Sequence, residues 1–212
     1  MANSWAPFGA RSFGHCDGSA PTMGLQRFFM LSSDASVIGT GDLVSQSTAS
    51  GYPGYITQFS TSLGNSPGWG YAGVFAGCEY YNSNVGRVVW SNYFPGSVGS
   101  SNPVTAYVIA DQQMQFIAQG STTNVLGSSN IGMNIGWLSS LAGSANTTTG
   151  LSAAGLASST ITASSSFPFR IVDIYQNFAP PGVNGTSTTE GGQILVVVPN
   201  QWAGGTLTGV ST

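Results

Sequence analysis

Nowhere in this chain do apolar residues keep the i, i+3, i+4, i+7 spacing of an amphipathic helix for more than two turns. They come instead in short runs rich in β-branched and aromatic residues, each closed off by Gly, Asn, Asp, Ser or Pro. Residues 26–31, 42–46, 54–60, 72–80, 87–94, 104–110 and 114–119 read this way, with a hairpin turn at Asn82-Ser83-Asn84-Val85-Gly86. In the last of these runs Met114, Phe116 and Ala118 take one face while Gln113, Gln115 and Gln119 take the other. Ile131, Met133, Ile135 and Trp137 again share a face at period two. Residues 167–175 and 193–199 give two further strands, and Ile194-Leu195-Val196-Val197-Val198, apolar on both faces, is expected to be central in its sheet. Short strands turned this often indicate an all-β fold: an antiparallel β-barrel or a jelly-roll-like sandwich.

The expected organisation is an extended N-terminal arm over residues 1–24 followed by a single β-rich domain over 25–212. A Ser/Thr/Gly-rich loop region around 120–166 interrupts that domain, and its part from 141 to 161 reads as loops with one or two short strands. The arm has no period, yet it carries Trp5, Phe8 and Phe13. Three aromatics are costly to leave in water, so the arm is expected to become ordered on a partner.

Function is constrained most by charge. Four arginines, seven acids and no lysine make 5% charged residues in 212, against about a quarter in an ordinary soluble domain. A surface of Ser, Thr, Gly, Asn and Gln can be covered by other protein with few ions to desolvate. Nucleic-acid binding needs a basic patch, which Arg11, Arg27, Arg87 and Arg170 do not make as isolated residues. The same scarcity argues against an electrostatic membrane anchor. The first residues hold no apolar signal-like stretch and no run reaches membrane length, so synthesis in a cytoplasm is expected, with Cys16 and Cys78 as free thiols.

Catalytic patterns are weak. His15-Cys16-Asp17 names a base, a nucleophile and an orienter, but neighbours in sequence point apart, and a turn closed by Asp17-Gly18-Ser19 explains them as well. Gly68-Trp69-Gly70-Tyr71-Ala72-Gly73 matches a dinucleotide fingerprint in letters only, because a strand-like run follows it where a helix is required. The acids are dispersed, and zinc would need more His and Cys. No enzyme activity and no cofactor are expected. Trp69, Tyr71, Phe75, Tyr80, Tyr81, Trp90, Tyr93 and Phe94 crowd one stretch. They could line a sugar-binding face, but core and subunit interface are the commoner use of such a cluster, with Trp69, Tyr71, Trp90, Tyr93 and Phe94 expected between subunits.

The order of several short motifs resembles a family of tailed-phage virion structural proteins. His15-Cys16-Asp17-Gly18-Ser19, Ser32-Ser33-Asp34-Ala35 and Gly41-Asp42-Leu43-Val44 open it. Gly73-Val74-Phe75-Ala76-Gly77-Cys78-Glu79-Tyr80 and Val89-Trp90-Ser91-Asn92-Tyr93-Phe94-Pro95-Gly96 follow. Ala106-Tyr107-Val108-Ile109, Phe116-Ile117-Ala118-Gln119, Thr148-Thr149-Gly150-Leu151-Ser152 and residues 195–200 complete the series. Several members resemble capsid decoration, or cement, proteins. The resemblance implies a β-barrel or jelly-roll-like body on the exterior of the phage head, oligomers (often trimers), the major capsid protein as partner, and no catalysis. On that reading Trp5, Phe8, Arg11 and Phe13 form a capsid-contact arm. The alternative is a carbohydrate-binding or host-attachment module on a tail or head fibre. The chain departs from the family pattern in a sparsely charged, apolar C-terminal half and a middle stretch richer in Ser and Thr.

Overall fold

A computed structural model of the chain describes residues 6–20, 24–47, 54–59, 71–99, 102–121, 126–138, 145–163, 167–175 and 193–200. Among these the strands are β1 (Arg11–His15), β2 (Leu25–Met30), β3 (Ile38–Gly39), β4 (Leu43–Gln46), β5 (Tyr55–Gln58), β6 (Tyr71–Asn82) and β7 (Arg87–Ser91). They continue with β8 (Tyr93–Phe94), β9 (Val104–Ile109), β10 (Met114–Gln119), β11 (Asn134–Leu138), β12 (Gly155–Thr162), β13 (Phe169–Ile174) and β14 (Ile194–Pro199). The only helical element among the described residues is a 3-10 turn at Ser128–Asn130. The fold is all-β, as the absence of a helical period requires.

Five strands close into a barrel in the order β4-β5-β2-β9-β6, with β6 returning to pair with β4. All these pairings are antiparallel except β2 with β5. The long β6 makes closure possible: its first half pairs with β4 and its second half with β7, through the predicted hairpin turn. The second sheet has the order β1-β10-β14-β13-β11-β12 and is antiparallel throughout. It curls so that its ends approach: Ser121 N–H donates to the Leu156 carbonyl at 2.8 Å, and Ser158 N–H to Ser121 Oγ at 3.0 Å. As expected from its two apolar faces, β14 lies inside this sheet, between β10 and β13.

Two cores result. Met30, Val44, Ile56, Phe75, Val104, Ala106 and Val108 fill the barrel. Leu43, Tyr71, Val74 and Ile109 instead meet Phe116, Ile135, Trp137, Phe169 and Val197 of the second sheet. The strand β6 therefore contributes to both cores, which is why residues 71–75 are buried without alternation.

Three details depart from the sequence-based expectation. The run 87–94 is two strands, because Ser91 Oγ accepts from Tyr93 N–H at 3.2 Å and donates to the Tyr93 carbonyl at 2.6 Å, kinking the chain at Asn92. The tail of that run, β8, pairs with β3 in a separate two-stranded sheet. Residues 155–162 form one eight-residue strand within the Ser/Thr-rich region. In the segment expected as an arm, residues 11–15 are an edge strand on β10, and Ala6 N–H donates to Gln119 Oε1 at 3.0 Å. The polar face of β10 thus serves the chain's own N-terminal segment.

Candidate functional site

The barrel wall turned away from the second sheet carries a row of large side chains. Alternation along β9 sends Val104, Ala106 and Val108 inward, so Thr105 and Tyr107 face out. Register places Arg27 of β2 beside Tyr107 on one side and Gly77 of β6 on the other. Gly77 has φ +152° and no side chain, and the Trp90 indole from β7 occupies the space above it: a Cβ there would lie 2.6 Å from Trp90 Cζ2. Thus Trp90 reaches across β6, and its ring centroid stands 5.0 Å from that of Tyr107. The Arg27 guanidinium carbon is 5.8 Å from the Tyr107 centroid, a cation–π arrangement. Further along β2, Phe29 stands 6.0 Å from Tyr55 of β5.

This row is open to solvent. Trp90 is 56% exposed, Phe29 52% and Val88 62%, with Leu25 and Tyr81 also exposed. Exposed apolar side chains scattered singly are ordinary, but rings in mutual contact across neighbouring strands form a patch, and patches mark interaction surfaces. The face is suited to covering by another surface, with Trp90 as a rigid anchor.

The residues expected between subunits separate sharply. Trp90 is on the open face. Tyr71 and Phe94 are buried within the chain itself, Tyr71 against Phe59 at 5.2 Å with its phenol pushed up to about 12 by burial. That burial leaves neither ring available to a second copy. Tyr93 is half-buried, and Trp69 lies outside the described residues. Among the arm residues, Phe8 and Arg11 are half-buried, and burial lowers the Arg11 pKa from its usual value. Phe13 is 47% exposed and meets Tyr175 edge-to-face at 5.5 Å, while Trp5 lies outside the described residues. Sequence reasoning did not place Arg27, Phe29 or Tyr107 on this face. The Tyr107 signal was present as alternation in 104–109. That of Phe29 was hidden because Phe28 and Phe29 put aromatics on both faces of β2.

Two polar clusters lie elsewhere. His15 and Asp17 do meet, through the expected turn in which Gly18 N–H donates to the His15 carbonyl. His15 Nδ1 is 2.7 Å from Asp17 Oδ1, and Nε2 is 3.2 Å from Asp111 Oδ2. The hydrogen bond to Asp17 leads in raising the His15 pKa, and bonds from Ser19 and His15 bring Asp17 down to about 2. With a carboxylate on each ring nitrogen, His15 has no nitrogen left to activate the neighbouring Cys16, whose thiol pKa desolvation raises. Both cysteines are free, Cys16 exposed and Cys78 buried. The second cluster centres on Asp42, which is 1% exposed. Its carboxylate accepts from Gly39 N–H at 2.7 Å and from the Ser152 hydroxyl at 2.5 Å, and burial pushes its pKa up to about 6. Among the described residues no group of three or more His, Cys, Asp or Glu side chains is placed to hold a metal.

Comparison with protein-family models, with curated proteins and with solved structures finds no match to this chain.

Proposed function

We propose that this chain is a structural virion component, a capsid decoration (cement) protein that binds the major capsid protein on the exterior of the assembled phage head and acts without catalysis. The observation that carries the reading is the open row of Trp90, Tyr107, Arg27 and Phe29 on the barrel wall. The motif order described above and the scarcity of charge support it from the sequence side.

The proposed mechanism is thermodynamic. A protein that binds only the assembled lattice stabilises that state by mass action. Repetition of a modest contact over a symmetric shell, through an oligomer such as a trimer, raises the avidity without new contacts. In this reading Trp90 docks on a neighbouring subunit or on the shell, and Phe13, on the edge strand β1, adds a second contact from the N-terminal segment.

Quantifying the chain in purified particles tests the proposal. Hundreds of copies on each head are expected, whereas a dozen or fewer would place it on a tail. Trp90→Ala is expected to weaken binding to undecorated heads about tenfold or more, the range of an interface anchor. Because Trp90 is more than half exposed, the isolated variant should unfold within about 1 kcal/mol of the parent chain. Absence of the chain from heads would sink the reading.

A further inference from the structure

At the hairpin end of β6 an open groove of about 390 Å³ lies between two loops. One wall is Tyr80, Asn82, Ser83 and Asn84; the other is the segment 95–99. The volume falls within the range of small-ligand clefts, and the mouth of a β-barrel is a recurrent place for one.

Both walls are held in place. Asn84 N–H donates to Asn82 Oδ1 at 2.9 Å, and Gly86 N–H to the Asn82 carbonyl at 2.9 Å. Opposite, Ser97 N–H donates to the Asp34 carbonyl at 2.7 Å, and Val98 N–H to the Ser32 carbonyl at 2.9 Å. Ser97 is the one non-glycine residue with positive φ among the described residues, at +37°. Such a conformation persists only where its surroundings enforce it, and it clusters at ligand-binding positions.

The lining selects a class of ligand. It carries no charged side chain, so neither an anion nor a cation finds a counter-charge there. Asn82 Nδ2, Ser83 Oγ and the Asn84 side-chain amide have no partner among the described residues, and a purely apolar ligand would strand them. Tyr80, Pro95 and Val98 supply apolar surface beside these groups. A neutral molecule with hydroxyls on its edge and C–H groups on its face meets both demands. We propose that this groove is a saccharide subsite. The Asn82 and Asn84 amides and Ser83 serve the hydroxyls of a neutral sugar, and Tyr80 and Val98 serve its apolar face. The site shares no residue with the Trp90 face, so the chain can occupy a shell and a glycan together, and either reading can fail alone.

The test is a ¹⁵N-detected NMR titration of the full chain with mannose, galactose and N-acetylglucosamine, followed by an array of neutral oligosaccharides. At least one sugar is expected to give saturable shifts at the amides of residues 82–84 and 97–99. Ser83→Trp fills the groove from an exposed turn position and should abolish those shifts. Asn84→Ala should weaken binding about tenfold, the effect of one lost hydrogen bond, and decides the matter if Ser83→Trp fails to fold. Trp90→Ala should bind sugar as the parent chain does. Absence of saturable binding across the sugars and the array, or shifts confined to Trp90 and Tyr107, overturns the proposal.

Discussion

Asp42 and Ser152, 110 positions apart in sequence, are joined by a 2.5 Å hydrogen bond from the Ser152 hydroxyl to Asp42 Oδ1 in the interior of the protein. Asp42 immediately precedes β4 of the barrel, and Ser152 lies just before β12 of the second sheet. The bond therefore ties the two sheets together just ahead of one strand of each. Ser152 Oγ is itself held, accepting from Ala154 N–H at 3.0 Å.

The burial of Asp42 makes stability depend on pH, and the bond from Ser152 works against the rise in its pKa. The folded pKa of Asp42, about 6, is above its ordinary 3.8, so the native state holds this proton more tightly than the unfolded state does. The contribution is largest below the ordinary value and is lost as pH rises through about 6. Asp42→Asn removes the titration, and urea midpoints of the variant should lose that part of the fall seen between about pH 4 and about pH 7 in the parent chain. Ser152→Ala should cost about 1–3 kcal/mol at high pH, where it strands a buried carboxylate, and less where Asp42 is protonated. An equal cost at both pH values would show that the hydroxyl does not serve the charged form.

The contact between Gly77 and Trp90 gives a second expectation. Gly77→Ala must place a methyl group against the indole and hold φ at +152°. A cost of about 1–3 kcal/mol is expected, with Trp90 displaced from Tyr107. In a Trp90→Ala background the clash with the indole disappears while the backbone part and the 3.1 Å approach to the Ser91 carbonyl remain. The two substitutions should therefore be coupled in a double-mutant cycle read by chemical unfolding. Simple additivity would mean that the indole moves aside freely.

A third expectation concerns His15. Its folded pKa is raised above the usual 6.5, so the interaction is fully present below 6.5 and is lost as pH rises through the folded value. An NMR titration of the imidazole should have its midpoint above 6.5. Asp17→Asn should lower that midpoint more than Asp111→Asn, because the Asp17 hydrogen bond is the larger cause. At high pH the turn at residues 15–19 should exchange its amides faster. A midpoint unmoved by either substitution would separate His15 from both acids.

Much of the strand framework was legible in the sequence because several strands obey period two or are apolar throughout. Residues 104–109 and 114–119 alternate, and 194–198, apolar on both faces, led to the interior position that β14 holds. The short β3 was not legible, since two residues, Ile38 and Gly39, carry no period at all. Nor was β1, where Ser12 and Phe13 are both exposed on an edge and a bulge between Ser12 and Gly14 breaks the alternation. The aromatic face was only partly legible. Trp90 stands out by type, but which rings of the cluster face outward depends on register, and register shifts at Gly77. Tyr71 and Phe94 look like interface residues by composition; Tyr71 becomes a core residue once β6 is seen to be covered on both sides, and Phe94 once β8 is seen to pack into the barrel core. The groove had no sequence signature, because its two walls come from loops brought together by pairing elsewhere.

Since β6 belongs to both packed interiors, neither half of the molecule can loosen alone without baring apolar surface of the other. Force arriving at one sheet reaches the second through the side chains that β6 lends to the shared interior, while the strand itself is anchored by hydrogen bonds along both of its edges within the barrel sheet. A body wired in this way yields all at once or not at all, and heating should reveal one sharp transition with no half-melted stage.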